Sequence, residues 1–479
     1  FGQGRTRHTT LLRTELTQTM AAGSFPPLLL VVLRVACASA KLSGGVARPQ
    51  SPPMGWRSWN FFQCEVSQDI LERQMAALTA KRVHDGVPTS LLDLGYNDLG
   101  LDDCWQVCDA KGNLFHDPDT GMAIINTELF PDMKGMVQTG HARGLKVGFY
   151  SNNCFCKEVG QPTHYAEDAN LTIGLDFDSV KIDSCGNQRD MTEWAREFEA
   201  SGRTMMVENC GNGPPGSEPK FDAVPSPAWV EMLNDTCPFS FYRVSNDIAP
   251  QFLSTMFNLN RLVPYLGAAP LSRPGCWAYP DMLEVGVRLS EAEARTHFAA
   301  WCVTSSPLIL GFDLADAQQL DAVWPIIANR EALRVSQTWA GHPGRLVANS
   351  SKYFDAVCEK GASDTHSHPC TFPEWQAWAK PQPGGAVAVL LVNLAEAPVN
   401  ISVDLAALGL PERAACRDLW AHAECGALVG ALSAPAVPPH DGVFVLLTPS
   451  AEQAAFPAPL GGQPYSLQRP GQTDYVAWI

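Results

Sequence analysis

Short apolar strands alternate with helical patterns along residues 54–337, and this alternation constrains the fold more than any other feature of the chain. The strand candidates are Met54–Asn60, Tyr96–Asp102, Leu145–Ser151, Phe177–Asp183, Thr204–Glu208, Ser240–Ser245, Leu262–Leu266 and Pro307–Leu310. Helical patterns lie between the strands, for example Ser67–Leu78, Asp132–Arg143, Asp190–Ala200, Ala249–Leu262, Glu291–Cys302 and Ala315–Ile327. This alternation predicts a (β/α)8 barrel. The alternative is an open doubly wound sheet, but no Gly-rich phosphate loop joins a strand to a helix in this sequence.

The strongest chemical signal is the carboxylate of Asp183, which ends the strand candidate Phe177–Asp183. The two-residue period of a strand places Lys181 and Asp183 on the same side of the backbone. A neighbouring cation lowers the pKa of a carboxylate, so Asp183 has the features of an ionised nucleophile. A lone Asp after a strand is more often a helix cap or a turn residue, and the nearby lysine favours the catalytic interpretation.

Two further strand ends carry acidic residues. Asp102 and Asp103 end the second strand candidate, and Asp247 follows Arg243 by four residues after the sixth. Since the C-terminal ends of barrel strands share one face, we expect one site there. Retaining glycoside hydrolysis needs a carboxylate nucleophile and a second carboxyl that protonates the leaving oxygen, about 5–5.5 Å apart. We interpret Asp183 and Asp247 as that pair, with Asp102 and Asp103 accepting hydrogen bonds from sugar hydroxyls.

Two tryptophans lie beside these strand ends. Trp56 in the first strand candidate and Trp105 after the second can pack on the apolar face of a pyranose ring. Ordinary core packing is the alternative for both indoles, and the sequence leaves that choice open.

The composition excludes some functions and indicates a compartment. A net charge of -16 with a pI near 5.1 argues against nucleic-acid binding, which depends on clustered Lys and Arg. Of fifteen cysteines, all but Cys37 lie outside the predicted signal peptide, and four glycosylation sequons accompany them, so we expect the secretory pathway and an extracellular, vacuolar or lysosomal destination. The sequon residues are Asn170, Asn234, Asn349 and Asn400. No cysteine pair has zinc spacing, so we expect no metal.

Changes in composition and in the strand and helix patterns divide the chain into four segments. Residues 1–40 contain upstream residues and a signal peptide, with Met20 as the expected start and an apolar run, Phe25–Val35, that is too short to span a membrane. Residues 51–340 form the predicted catalytic barrel. Residues 341–450 alternate strand patterns with Gly and Pro and predict an antiparallel β-sandwich, and residues 451–479 predict an irregular tail.

These motifs resemble glycoside hydrolase family 27, the α-galactosidase or melibiase family, from about Ser51 to the end of the sandwich. The matching motifs are Met54–Asn60 for the first strand, Leu101–Trp105 for the sugar-binding pair, Lys181–Cys185 for the nucleophile, Arg243 with Asp247 for the acid/base, and Pro280–Leu283 downstream. The resemblance implies retaining hydrolysis of terminal α-galactosides without a metal or organic cofactor. It also implies substrate contacts for Tyr150, Lys181, Arg243 and Asp281.

Two departures from the family pattern concern specificity. Val207–Asn212 replaces the family's Cys-Glu-Trp, which helps to recognise the 2-position of the sugar, and Trp277–Tyr279 replaces Trp-Asn-Asp. Cleavage of a β-L-arabinopyranoside or an α-N-acetylgalactosaminide therefore stays open. A carbohydrate-binding glycoprotein without turnover is the alternative from another class, and homodimer formation is open as well.

The resemblance also implies disulfides. It pairs Cys64 with Cys104, Cys210 with Cys237, and Cys185 with either Cys154 or Cys156. In the sandwich, proximity in sequence suggests Cys358 with Cys370 and Cys416 with Cys425.

Overall fold

The computed structural model describes residues 45–84, 86–108, 114–156, 162–214, 216, 224–361 and 366–450. The predicted signal peptide with Met20, and the predicted tail at 451–479, lie outside the described residues.

Eight short parallel strands form the curved sheet of a (β/α)8 barrel. They are β1 (Met54–Arg57), β2 (Asp98–Gly100), β3 (Lys146–Ser151), β4 (Ser179–Ile182), β5 (Thr204–Asn209), β6 (Phe241–Arg243), β7 (Trp277–Tyr279) and β8 (Leu308–Leu310). Hydrogen-bonded neighbours follow the order β7-β6-β5-β4-β3-β2-β1-β8. Just after β7, the amide of Leu283 donates to the carbonyl oxygen of Ile309 in β8 at 2.8 Å and so links the two ends. The predicted barrel is confirmed.

Of the nine longer helices among the described residues, seven begin at a side chain that accepts a hydrogen bond from an amide of the first turn. The nine helices are α1 (Gln68–Thr79), α2 (Met133–Ala142), α3 (Tyr165–Gly174), α4 (Met191–Ala200), α5 (Pro227–Asp235), α6 (Phe252–Asn260), α7 (Glu291–Val303), α8 (Ala317–Ile327) and α9 (Arg330–Gln337). The Asp132 carboxylate accepts from the amide of Gly135 at 2.8 Å, and Ser290 forms a capping box with Glu293. Among the described residues, no helix combines the length and the apolar character needed to cross a bilayer.

The seventh strand lies elsewhere than the sequence predicts. The Leu262–Leu266 segment contains a 3-10 turn over Val263–Tyr265, and β7 forms at Trp277–Tyr279 instead. Pro264 lacks an amide hydrogen, so this segment cannot complete a strand ladder.

The chain after the barrel forms an antiparallel β-sandwich, which confirms the predicted C-terminal fold. Its strands are β9 (Arg345–Asn349), β10 (Tyr353–Lys360), β11 (His366–Pro373), β12 (Trp375–Pro381), β13 (Val387–Asn393), β14 (Val399–Asp404), β15 (Arg413–Asp418), β16 (Ala423–Val429), β17 (Ala431–Val437) and β18 (Gly442–Pro449). Six strands form one sheet in the order β9-β12-β13-β18-β15-β16, and β14 pairs with β17 in a second layer. Strands β10 and β11 pair only with each other, as a separate hairpin.

Strand β13 joins the sandwich to the barrel because both of its faces are buried. Its side chains Val389 and Leu391 pack in the core between the two sandwich layers. The alternate side chains Leu390 and Val392 pack in the same apolar cluster as the barrel helices. Each fully buried Val or Leu stabilises the fold by about 1.5–3 kcal/mol.

Four predicted disulfide assignments are confirmed and one is wrong. The structure pairs Cys64 with Cys104, Cys154 with Cys185, Cys358 with Cys370, Cys416 with Cys425, and also Cys108 with Cys156 and Cys237 with Cys276. The Cys210 with Cys237 pair does not form. Cys237 precedes β6 and Cys276 precedes β7, and these adjacent parallel strands begin at the same end of the barrel. Cys210 follows β5 at the opposite end, where it is a buried free thiol.

Candidate active site

A cavity of about 410 Å³ opens at the C-terminal ends of the barrel strands. The residues around it include Trp59, Asn60, Asp102, Tyr150, Lys181, Asp183, Arg243, Asp247, Asp281, Met282, Lys360, Gly361 and His366. Strand order brings these side chains together from distant parts of the chain, as a barrel requires. The predicted catalytic pair Asp183 and Asp247 both line this cavity.

Asp183 is held as an ionised carboxylate directly after β4. The Tyr150 hydroxyl in β3 donates to its Oδ2 at 2.5 Å, and the Ser184 amide donates to its Oδ1 at 2.7 Å. Burial alone would raise the pKa of Asp183, but the charges of Lys181 and Arg243, with these hydrogen bonds, lower it below its ordinary value. The charge environment is therefore that of a nucleophile.

Lys181 is buried between two carboxylates. Its Nζ lies 2.8 Å from Asp102 Oδ2 and 5.2 Å from the centre of the Tyr150 ring. Burial alone would lower the pKa of Lys181, but the negative charges of Asp102 and Asp183 raise it well above the usual lysine value. Lys181 therefore stays charged, and it holds Asp102 at the cavity while it favours the ionised form of Asp183.

The second carboxyl of the pair, Asp247, lies on the loop after β6. Its side chain is 59% exposed, and its Oδ1 lies 2.7 Å from Arg243 Nη1. The same Nη1 lies 3.5 Å from Asp281 Oδ2, which also accepts from the Ile248 amide at 2.9 Å. Arg243 thus connects Asp247 to a buried carboxylate, while Asp247 itself stays accessible to a proton donor or acceptor in solvent.

Asp281 has a left-handed backbone, with φ at +83°, which a non-glycine residue rarely adopts. Two backbone amides compensate for it, since Met282 donates to Asp281 Oδ1 at 2.8 Å and Ile248 donates to Oδ2. Burial raises the pKa of Asp281, against the opposing charge of Arg243. Such strain is typical of functional sites.

Two predicted sugar contacts lie beside the cavity rather than on it. Trp56 is fully buried and donates from Nε1 to the carbonyl oxygen of Phe312 at 2.8 Å. Asp103 accepts from Gln106 Nε2 at 2.8 Å and from the Cys154 amide at 2.9 Å, so its carboxylate supports the loop that carries Cys154. The direct sugar contacts of Trp56 and Asp103 stay predictions, and Trp59 is the tryptophan that lines the cavity.

Trp105 is likewise in the core. Its ring packs against Phe149 with centroids 4.4 Å apart, and its Nε1 donates to the carbonyl oxygen of Tyr150 at 3.0 Å. This arrangement selects the core-packing alternative, in which Trp105 supports Tyr150 from behind.

The segment that departs from the family pattern, Val207–Asn212, has two separate roles. Glu208 is buried in the barrel, accepts from the Tyr279 hydroxyl and lies 3.5 Å from Arg57, so it points away from the cavity lining. Burial raises the pKa of Glu208, and Arg57 opposes that shift. The next turn is locked by Asn209 and Asn212, which exchange hydrogen bonds of 2.8 Å.

Asn212 also reaches the candidate nucleophile. Its Nδ2 donates to the backbone oxygen of Asp183 at 3.0 Å, so the loop after β5 positions the strand end of β4. Sequence reasoning missed this contact, although Asn-x-x-Asn after a strand is a turn signal. It also missed Lys360, Gly361 and His366, which approach from the sandwich side and carry no local signal.

Two cysteine sulfurs and one carboxylate come close enough to form a metal-binding group: Cys154, Asp183 and Cys185. Because Cys154 and Cys185 form a disulfide, neither offers a thiolate to an ion.

Comparisons with known proteins agree with this architecture. The family model described as Alpha galactosidase A matches residues 51–338, and the model of the alpha galactosidase C-terminal beta sandwich domain matches residues 373–447. An alpha-galactosidase of Oryza sativa subsp. japonica is 28% identical over 417 residues, which cover 84% of this chain and 85% of the rice protein.

Solved structures show the same fold. The crystal structure of alpha-galactosidase I from Mortierella vinacea is similar, with a TM-score of 0.66 and 22% identity, over 84% of this chain and 98% of that one. A family 27 β-L-arabinopyranosidase from Geobacillus stearothermophilus has a TM-score of 0.64 and 18% identity, over 85% of this chain and 98% of that one. At these identities the similarity establishes the fold and leaves the sugar specificity to the site.

Proposed function

This chain belongs to the alpha galactosidase A family of glycoside hydrolases, and we propose that it hydrolyses terminal α-galactosides with retention of configuration. The observation that carries the proposal is the environment of Asp183. A carboxylate whose pKa is lowered by Lys181, Arg243 and Tyr150 shares one cavity with the accessible carboxyl of Asp247. A binding protein without turnover needs neither feature.

The reaction then proceeds in two displacements. An oxygen of Asp183 attacks the anomeric carbon, and the bond to the leaving oxygen breaks as Asp247 gives that oxygen its proton. In the second step Asp247 takes a proton from water, whose oxygen attacks the anomeric carbon and releases the Asp183 carboxylate. Two inversions at the same carbon give net retention.

The positioning groups follow from the contacts. Lys181 neutralises Asp102 and leaves that carboxylate able to accept hydrogen bonds from sugar hydroxyls at the inner end of the cavity. Arg243, which is buried, orients Asp247 through the 2.7 Å contact of its Nη1 with Asp247 Oδ1. Tyr150 releases its hydrogen bond to Asp183 Oδ2 as that oxygen becomes an ester.

We expect α-galactosides to be cleaved faster than β-L-arabinopyranosides. A pentopyranose lacks the 6-hydroxyl, so it loses a hydrogen bond to a charged acceptor such as Asp102, which is worth about 1.5–3 kcal/mol or roughly ten- to a hundredfold in kcat/KM. Kinetics on the two p-nitrophenyl glycosides measure this ratio. A ratio below one would move the assignment to the arabinopyranosidase activity and leave the catalytic pair unchanged.

The acid limb of the pH profile is expected to lie below the range usual for aspartate. Asp183 reacts as the carboxylate and its pKa is lowered, so activity is lost only as pH falls through that lowered value. Tyr150→Phe removes one hydrogen bond from Asp183 and should move the acid limb of kcat/KM to higher pH. An acid limb at the same pH in both proteins would contradict the assigned role of Tyr150.

We also propose that the protein passes through the secretory pathway. Six disulfides among the described residues are typical of an oxidising compartment. The sequon residues Asn170, Asn234 and Asn400 are exposed, whereas the Asn349 amide donates to the Tyr353 hydroxyl at 3.0 Å and is half-buried. Homodimer formation stays a prediction.

A further inference from the structure

The hairpin of β10 and β11 belongs to the sandwich region in sequence but lies against the barrel in space. The two family models end at residue 338 and resume at residue 373, so all but the last residue of this hairpin falls in the stretch between them. All but one of its residues therefore lie outside the two family-model matches.

Specific contacts hold the hairpin against the barrel. The Cys358–Cys370 disulfide ties its two strands together. The Glu359 amide donates to Ser254 Oγ at 2.6 Å, and Gln251 Nε2 donates to the carbonyl oxygen of Val357 at 3.1 Å. These contacts fix the hairpin on the start of α6.

The end of the hairpin reaches the acid/base residue. The Gly361 amide donates to the backbone carbonyl oxygen of Asp247 at 3.0 Å. Lys360, Gly361 and His366 line the same cavity as Asp183 and Asp247. One wall of the catalytic cavity therefore comes from the hairpin.

The mechanism of the reaction indicates which part of the substrate lies beside this wall. The acid must contact the glycosidic oxygen, so the leaving group lies beside Asp247 and extends away from Asp183. The Gly361 amide of the hairpin contacts the backbone of Asp247, whose carboxyl is 59% exposed. A leaving group beside Asp247 would therefore lie near Lys360, Gly361 and His366, which line the same cavity.

We propose that Lys360, Gly361 and His366 of the hairpin form the binding subsite for the leaving group, with Lys360 as a specificity-determining residue that donates hydrogen bonds to a saccharide leaving group. This inference rests on the proposed function, since it takes Asp247 as the acid. Lys360 is exposed and carries three N–H donors, so its ammonium can reach hydroxyl oxygens at the cavity mouth without disturbing the core.

The test compares two substrates that differ only in the leaving group: the disaccharide melibiose and p-nitrophenyl α-galactoside. In Lys360→Met, which keeps the aliphatic stem and removes the donors, the ratio of kcat/KM for melibiose to that for the nitrophenyl substrate should fall by about three- to tenfold, as expected for one exposed hydrogen bond. The matched control is Lys352→Met, because Lys352 is 78% exposed on the same region and lies outside the cavity lining. The control should keep the wild-type ratio.

A second readout uses the covalent intermediate. Once the first leaving group has departed, the empty subsite can accept a saccharide, so Lys360→Met should also lower the fraction of galactosyl groups transferred to added melibiose rather than to water. An unchanged ratio and transfer fraction in Lys360→Met, or an equal change in Lys352→Met, would overturn the inference. If Asp183→Ala still turned over, the proposed function itself would fail, whatever Lys360→Met did.

Discussion

Asp183→Asn is expected to abolish glycoside hydrolysis, with a fall in kcat/KM of about four orders of magnitude or more, because it removes the nucleophile on which the covalent step depends. The amide keeps the shape of the side chain and can still accept from the Ser184 amide, so the fold should survive. The measurement is kcat/KM on p-nitrophenyl α-galactoside, together with thermal unfolding of both proteins. Asp69→Asn is the control, since that side chain is 83% exposed on α1.

A second variant at the same position tests whether Asp183 acts as the nucleophile, and not only whether activity requires it. Asp183→Ala leaves space where the carboxylate stood, and added azide can attack the anomeric carbon from that side. The product from an activated α-galactoside should then be the β-galactosyl azide, formed by a single inversion. Wild-type activity in Asp183→Asn, or an α-configured azide product, would rule out Asp183 as the nucleophile.

Asp247→Ala is expected to have the second largest effect, and its size should depend on the leaving group. For melibiose, whose leaving oxygen needs a proton, kcat/KM should fall by about 10²–10⁴-fold. For 2,4-dinitrophenyl α-galactoside, whose dinitrophenolate departs as a stable anion, the rate of the first step should be almost unaffected. Asp183 and its partners Lys181 and Tyr150 are intact in this variant.

The contrast between the two substrates is the decisive measurement for Asp247. Because its side chain is more than half exposed and pairs with Arg243 rather than with the core, its removal should not unfold the protein. An equal loss on both substrates would indicate that Asp247 acts in binding or positioning instead of proton transfer.

The sequence predicted the parts of the fold that depend on local patterns. Strand β3 ends at the polar Ser151, strand β4 is followed directly by Asp183, and helices α1 and α7 begin at serine caps, so their signals lie within a few residues. Strand β7 was missed because the apolar segment Leu262–Leu266 was assigned to its place in the order, although Pro264 there prevents a strand ladder.

The candidate site was predictable only where strand ends supply its residues. Asp183 and Asp247 follow β4 and β6, so their convergence follows from barrel geometry alone. The sequence did not reveal the role of Asp103, because no sequence pattern shows that its carboxylate accepts a hydrogen bond from the Cys154 amide. The sequence could not predict that Lys360 lines the cavity, because its position there depends on how the sandwich region packs on the barrel.

The two-sided burial of β13 makes the sandwich part of the enzyme rather than an appendage. Leu390 and Val392 complete an apolar cluster that the barrel helices begin, so a barrel cut at residue 338 would present that helical face to water. The same cut would remove the hairpin wall beside Asp247. A chimera that exchanges C-terminal domains between relatives would therefore also need the matching face of α7. A chimera joined at the domain boundary alone would leave apolar surface exposed and would be prone to aggregate.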